Sequence, residues 1–300
     1  MELSWPMKLR IAAATGIGAV LIGIVGWPLA VPAEPFGVVS TTNFGFGGSI
    51  TLVALAFLVA LLAYFVSWPY GRQIAVLAVP AGLAIWAVRG GNMAAMMQMS
   101  PTAGQRQQLL ETVRTEPLFW LAIVAVGFLA IEVGRKISSP KTSSAQTQEK
   151  SNWRLNIYLS AALAVVASVL IGQFCIGILA VDVRIFDSKL GSAVAQPAVG
   201  QIVFAVLISF GIAGFVAKKL LNASYIWPII ACALVTPFAS STYVKEDILA
   251  HFTGQLPAVF FPHPIACILP VQMVAFGTLG SIIGYWLAIR YNYWRKHEIW

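Results

Sequence analysis

The stretch RKISSPKTSSAQTQEKSNWR, residues 135–154, is a long polar segment that interrupts an otherwise apolar chain. The 300 residues are 59% hydrophobic and 10% charged, whereas a soluble domain carries about 25% charged residues. The apolar residues form runs near or above the roughly 18 to 20 residues that cross a bilayer. Backbone groups in lipid must bond to one another, and runs this continuous favour helices over barrel strands. The sequence therefore predicts an all-α membrane protein.

Eight apolar runs are predicted as transmembrane helices, and their spacing indicates an internal repeat. The predicted spans are 9–29, 48–68, 73–89, 118–134, 155–181, 199–217, 225–243 and 264–289. The starts of the last four follow those of the first four by 146 to 152 residues, and in each half the longest outside loop precedes the last span. Four spans per half give both halves the same orientation, so we expect two parallel four-helix repeats.

The polar stretch divides the chain into the predicted domains. A first transmembrane unit covers residues 1–134, a cytoplasmic linker covers 135–154, and a second unit covers 155–300. The Ser, Thr, Lys, Gln and Pro content of the linker is typical of a disordered segment. The linker therefore joins two units that each have their own set of helices.

The distribution of the 19 Lys and Arg residues predicts the orientation. With the amino terminus in the cytoplasm, thirteen of them lie inside and six outside, as the positive-inside rule requires. We therefore expect both termini in the cytoplasm of an inner or plasma membrane. The net charge of +8 then reflects topology, so no nucleic-acid partner is predicted. As an alternative, the first span resembles a signal peptide with Val31 and Ala33 at its cleavage positions.

Polar residues within or beside the spans are the candidates for substrate binding. Gln173 and Gln272 are amides inside predicted spans, where they either bond to another helix or contact a polar solute. Asp182 and Arg184 lie at the outer end of the fifth span, and His251 lies in the last outside loop. These three residues are the expected centre of any enzyme site. The sequence has no Walker loop, HExxH or GxSxG pattern, so an enzyme is the least favoured class.

Four methionines, Met93, Met96, Met97 and Met99, follow the third span closely. Thioethers are ligands for cuprous copper, but methionine is also a common filler of apolar cores. The cluster is therefore a copper candidate with ordinary core packing as the alternative. No cofactor is predicted.

Two functions are compatible with this organisation. Parallel repeats occur in transporters, whose sites lie where the repeats meet near the membrane midplane. The first hypothesis is a permease or channel-like transporter for a small solute, with a polar cavity lined by Gln173, Gln272 and proline-broken backbone. The alternative is a non-transporting membrane subunit that scaffolds or assembles a larger membrane complex. The expected partners are the lipid bilayer, a small solute and other membrane proteins.

Overall fold

The structure, a computed structural model, is a bundle of long helices with one small β-sheet at one end. It describes residues 5–32, 37–138, 153–187, 191–243 and 256–297, together with 248, 250 and 251. Most of the predicted linker, residues 139–152, lies outside the described residues. The helical architecture agrees with the predicted all-α membrane class.

The first half of the chain consists of helices. They are α1 Trp5–Gly18, which continues as the π-helix Ala19–Val25, α2 Trp27–Ala30, α3 Phe46–Val66, α4 Gly71–Ile74, α5 Ala78–Arg89, α6 Met93–Met99 and α7 Ala103–Ser138, with 3-10 turns at Thr41–Asn43 and Ala75–Leu77.

The second half adds a sheet to its helices. Its elements are α8 Trp153–Leu179, β1 Arg184–Ile185, β2 Ala193–Ala195, α9 Val199–Leu221, α10 Ile226–Tyr243, β3 Phe260–Phe261, the 3-10 turn Pro264–Cys267 and α11 Pro270–His297. The central strand β2 pairs antiparallel with both neighbours, and Val194 lies opposite Arg184 on one side and Phe261 on the other. Strands of two or three residues are too short to show an alternating pattern, so the sequence does not predict them.

Seven helices of the described chain are long and apolar enough to cross a membrane. They are Trp5–Val25, Phe46–Val66, Gly71–Arg89, Ala103–Ser138, Tyr158–Leu179, Val199–Leu221 and Pro270–Arg295. The span predicted at 225–243 is present as a helix, but its apolar part, Ile226–Thr242, is shorter than the others. The chain is therefore a multi-pass membrane protein by helix length and composition.

The two ends of the bundle differ in chemistry, and we name them by what they carry. The sheet end holds the three strands, α6 and the beginnings of α3, α7, α9 and α11. The linker end holds the last turn of α7 and the first turn of α8, which flank the polar stretch, and the last turns of α9 and α11.

Helices α5 and α11 form the centre of the bundle. The span Gly71–Arg89, which ends in α5, and the span in α11 are the most buried of the seven long apolar helices, and α5 packs directly against α11. Around them, α1 packs against α3 and α5, and α3 packs against α7. In the second half, α8 packs against α9 and α10, while α9 packs against α11. The halves also meet where α7 contacts α10 and α11, so the core is continuous across both halves.

Small residues allow α9 and α11 to approach closely. A Cβ atom added at Gly214 would overlap the backbone of Ser281, and one added at Gly284 would overlap the carbonyl oxygen of Gly211. Glycine is common where membrane helices pack because it lets backbones come together. This contact fixes the spacing of the second half, including the position of α11 at the centre.

Helix α7 is longer than a membrane requires. Its 36 residues span about 54 Å, compared with roughly 30 Å of hydrocarbon. The fourth span is predicted to begin at residue 118, but the helix begins at Ala103 and continues through Pro117. The first part of α7 therefore extends beyond the membrane-spanning length at the sheet end. One of its faces is buried there, with Arg106, Leu110, Val113 and Glu116.

Candidate functional site

A buried carboxylate, Glu116, joins α7 to the loop that precedes α3. Its Oε1 accepts hydrogen bonds from the hydroxyl of Ser40, from the backbone N–H of Thr41 at 2.6 Å and from the Thr41 hydroxyl at 2.9 Å. Glu116 is only 2% exposed. Since all three groups are donors, the carboxylate is the shared acceptor that holds the loop against the helix.

The loop held by Glu116 is ordered by its own hydrogen bonds as well. The Thr42 hydroxyl donates to the Ser40 hydroxyl at 3.1 Å, and the amide of Asn43 donates to the carbonyl of Val38 at 2.7 Å. The backbone N–H of Val39 donates to the carbonyl of Gly90 at the end of α5. The carboxylate is therefore part of a polar network that connects three segments at the sheet end.

A second buried polar pair, Asp187 with His251, lies at the sheet end of the second half. The Nε2 atom of His251 is 2.9 Å from Oδ2 of Asp187, and both side chains are buried. Asp187 follows β1, and His251 is a helical residue ahead of β3. The pair ties these two segments together, and a carboxylate beside an imidazole is also the arrangement that orients a general base.

His263 is a third polar group at this end and lies outside the membrane-spanning helices. Its Nδ1 accepts a hydrogen bond from the backbone N–H of Ile265 at 3.3 Å. Burial, and to a smaller extent the positive charge of Arg184, lowers the pKa of His263 to about 4. The imidazole is thus neutral near pH 7, with its proton on Nε2.

The three residues predicted as the centre of an enzyme site occupy different environments. His251 is buried against Asp187, whereas the side chains of Asp182 and Arg184 are exposed. Arg184 lies near enough to His263 to affect its pKa. Within the described residues, no group of three or more His, Cys, Asp and Glu side chains is arranged to hold a metal ion.

Gln272 connects the two halves at the centre of the bundle. It is fully buried, its Nε2 donates to the carbonyl of Ala87 in α5 at 3.1 Å, and its Oε1 accepts from the N–H of Leu269 at 3.1 Å. Gln196 makes a second connection, because its Oε1 accepts from Ala94 N–H and its Nε2 donates to the carbonyl of Cys267. Both amides thus bond to backbone groups on either side of the interface.

Gln173 lies in α8, away from Gln272. Its Nε2 atom is buried and has no hydrogen-bond partner among the described residues. The preceding residue, Gly172, faces Phe210 of α9, where an added Cβ would come within 3.1 Å of the ring. The structure therefore places the two glutamines in different parts of the bundle, one in the peripheral helix α8 and one at the centre.

The four methionines lie in or at the end of α6. Met93, Met96 and Met97 are buried in the hydrophobic core, and Met99 is 41% exposed. The Asn92 side chain caps the start of the helix by accepting a hydrogen bond from the N–H of Ala95 at 2.9 Å. Copper binding stays a prediction for these residues, and three of them, Met93, Met96 and Met97, pack as core side chains.

Sequence reasoning missed Glu116, Asp187 as a partner of His251, and Gln196. For Glu116 a signal was available, because Leu110, Val113 and Glu116 recur every three residues and so share one face of a helix. A carboxylate on an apolar face indicates a buried acceptor. For the two other residues, no local pattern identifies partners that are far away in the sequence.

Taken together, the long apolar helices, the polar connections between the halves and the buried networks at the sheet end define a multi-pass helical membrane protein. Comparison with known proteins found no matching family model, no matching curated protein and no matching solved structure.

Proposed function

We propose that this protein is a non-transporting membrane subunit whose two halves form one rigid body on which a larger membrane complex assembles. The observation that carries the proposal is the pair of amide connections between the halves, from Gln272 to Ala87 and from Gln196 to Ala94. A transporter that alternates by rocking its repeats must open the interface between them. Here that interface is formed by the two most buried long helices and is hydrogen-bonded through backbone groups.

The same proposal includes eight spans arranged as two parallel four-helix units. Supporting it, the first helix of each half packs against the second and third, and the second packs against the fourth. The contacts between the halves are reciprocal: α5 packs against α11, and α10 packs against α7. Each half also has a buried polar link between two sheet-end segments, Ser40 with Glu116 in the first and Asp187 with His251 in the second.

The orientation is proposed from charge. Most of the Lys and Arg residues that the structure describes lie at the linker end, and basic residues are enriched on the cytoplasmic side of membrane proteins. The linker end therefore faces the cytoplasm of an inner or plasma membrane, and the sheet end faces outward.

A second candidate function, transport of a small solute, is favoured by one specific observation. The Nε2 atom of Gln173 and the hydroxyls of Ser168 and Thr236 are buried without hydrogen-bond partners among the described residues. They lie on α8 and α10, which pack against each other. Buried polar atoms of this kind are commonly satisfied by water or ligand, so a polar path within the second half would account for them.

Two measurements on the same preparations distinguish these functions. The first is extraction into nanodiscs or mild detergent, followed by mass spectrometry of intact complexes. The second is osmotic swelling of proteoliposomes in urea and in glycerol, for the wild type and for Gln173→Leu and Gln272→Leu. The scaffold proposal expects a stoichiometric membrane-protein partner, and swelling no faster than in empty liposomes. Two results together would favour the transport candidate over the scaffold proposal. They are purification of the protein without a partner, and a solute flux that falls in Gln173→Leu while thermal stability is unchanged.

A further inference from the structure

The last turns of α9 and α11 at the linker end carry basic side chains that lie on aromatic rings. The Nζ atom of Lys219 is 4.1 Å from the ring centroid of Tyr291, and Cζ of Arg290 is 4.4 Å from the centroid of Trp294. Cations held over ring faces in this way gain from the ring quadrupole. The contacts fix the two charges near the helix ends.

These contacts bring the two charges to one side of α11. Tyr291 and Trp294 are three residues apart, and Arg290 and Trp294 are four apart, so all three are neighbours on one helix surface. Lys219 lies against one of the two rings and Arg290 against the other. Basic groups from two helices, Lys219 of α9 and Arg290 of α11, therefore flank one aromatic surface. Lys218 does not belong to it: it lies 5.4 Å from the ring of Tyr285 and donates to Asn222 at 2.7 Å, and Tyr285 is on the opposite face of α11 from Trp294.

No described carboxylate lies within ion-pair distance of these three basic groups. The ion pairs at the linker end join Glu132 to Arg72 at 3.4 Å and to Arg135 at 2.7 Å. The Nε atom of Arg290 is buried and has no hydrogen-bond acceptor among the described residues. A ring face balances part of a positive charge but accepts the N–H bonds of a guanidinium poorly. Among the described residues, Arg290 thus has an unused donor, and neither its charge nor that of Lys219 is paired with a carboxylate.

The position of the group relative to the membrane indicates what the acceptor is. The apolar span of α11 ends at Arg295, and Tyr291, Tyr293 and Trp294 are 41%, 41% and 43% exposed. Tyrosine and tryptophan at a helix end mark the interfacial layer, where phospholipid headgroups lie. Basic pockets between membrane helices at this depth are suited to anionic headgroups.

We propose that Lys219 and Arg290 form a binding site for the phosphate of an anionic phospholipid in the leaflet at the linker end. The guanidinium of Arg290 donates to the phosphate oxygens, for which its planar fork is well matched. Lys219 supplies further positive charge, and the aromatic surface of Tyr291 and Trp294 contacts the lipid backbone. The site requires neither a particular orientation in the membrane nor the scaffold function.

The test compares lipid binding by the full-length protein and by charge variants. Native mass spectrometry in detergent, with thermal unfolding in parallel, measures binding of phosphatidylglycerol and of phosphatidylcholine. Arg290→Gln and Lys219→Gln remove charges of the site. Lys136→Gln is the matched control, because Lys136 is exposed at the same end of the bundle, on α7. If Arg290→Gln yields no folded protein, Arg290→Lys keeps the charge and removes the planar fork.

We expect phosphatidylglycerol to bind more tightly than phosphatidylcholine and to raise the melting temperature of the wild type. Arg290→Gln should weaken that binding by about tenfold or more, since a hydrogen bond to a charged group is lost. Lys219→Gln should weaken it less, and Lys136→Gln should leave it unchanged. Equal binding of the two lipids, or equal loss in all variants, would overturn the site. Equal stabilisation by inorganic phosphate at matched concentration would overturn the lipid as its ligand and indicate a soluble anion.

Discussion

Glu116 shows how one side chain can organise a loop. Replacing it with alanine leaves the Ser40 hydroxyl and two donors of Thr41 without their acceptor in a buried site. Hydrogen bonds to a charged group contribute about 1.5 to 3 kcal/mol, and unsatisfied buried donors add to the loss. We therefore expect Glu116→Ala to lower the melting temperature in detergent by several degrees. Glu111→Ala, at an exposed position of the same helix, is the control, and equal melting of the two variants would contradict the role of Glu116.

His263 gives the sheet end a pH dependence with a defined sign. An ordinary histidine has a pKa of about 6.5, whereas that of His263 is lowered to about 4, first by burial and then by Arg184. Between these values the unfolded chain binds the proton and the folded protein does not, so stability falls as the pH falls from 6.5 towards 4. Above pH 6.5 both states are neutral and this histidine contributes no pH dependence.

The variant His263→Asn isolates this effect. Asparagine does not titrate and keeps a side-chain acceptor for the N–H of Ile265. Between pH 7 and pH 4 we expect the wild type to lose up to about 3 kcal/mol more stability than the variant. Melting temperatures recorded at intervals across this range measure the difference. If the melting temperatures of the two proteins changed in parallel with pH, the pKa of His263 would not be lowered by folding.

At the scale of elements, the contact between α9 and α11 depends on glycine. A Cβ at position 284 would overlap the carbonyl oxygen of Gly211, so the backbone of one of the two helices would have to shift. Forcing extra atoms into a packed core costs roughly 1 to 3 kcal/mol, so Gly284→Ala should lower the melting temperature. Gly16→Ala in α1 is the control, since nothing lies within 4 Å of an added Cβ there. A Gly284→Ala protein as stable as Gly16→Ala would mean that the two helices are not in close contact.

The helices could be predicted from the sequence to different degrees. Length and continuous hydrophobicity were sufficient for spans such as Phe46–Val66, because a membrane helix satisfies its own backbone wherever it lies. They were insufficient at Pro117, since proline usually ends a helix and the structure continues α7 through it. The short strands β1, β2 and β3 depend on partners brought together by the helices, so no local signal indicated them.

The candidate site was predictable only in part, for a similar reason. Mid-span glutamines were recognisable as polar groups in lipid, but the carbonyl that Gln272 binds belongs to Ala87, 185 residues away. Asp182 and Asp187 have similar local surroundings in the sequence, and only the fold pairs His251 with Asp187 and leaves Asp182 exposed. Which polar residue is buried with which partner is therefore decided at the level of tertiary packing.

At the scale of the whole molecule, the predicted arrangement is two units joined by a tether. Within the described residues, the interface between the two halves is a packed surface with amide connections. A tether raises the effective concentration of two units without adding contacts. If the halves are self-contained, the tether should be dispensable for assembly.

A chain divided after Ser144 tests this arrangement. Co-expressed fragments 1–144 and 145–300, with an affinity tag on one, should co-purify, because α5 and α7 of the first fragment contact α10 and α11 of the second directly. Gln272→Leu in the second fragment removes the bond to Ala87, worth about 0.6 to 2 kcal/mol. It should therefore reduce recovery of the pair by a few-fold. Gln173→Leu is the matched control, since its Nε2 has no partner among the described residues and it lies in the peripheral helix α8. Separate purification of the fragments would show that the chain folds as one unit. Equal recovery with the two variants would show that Gln272 does not hold the halves together.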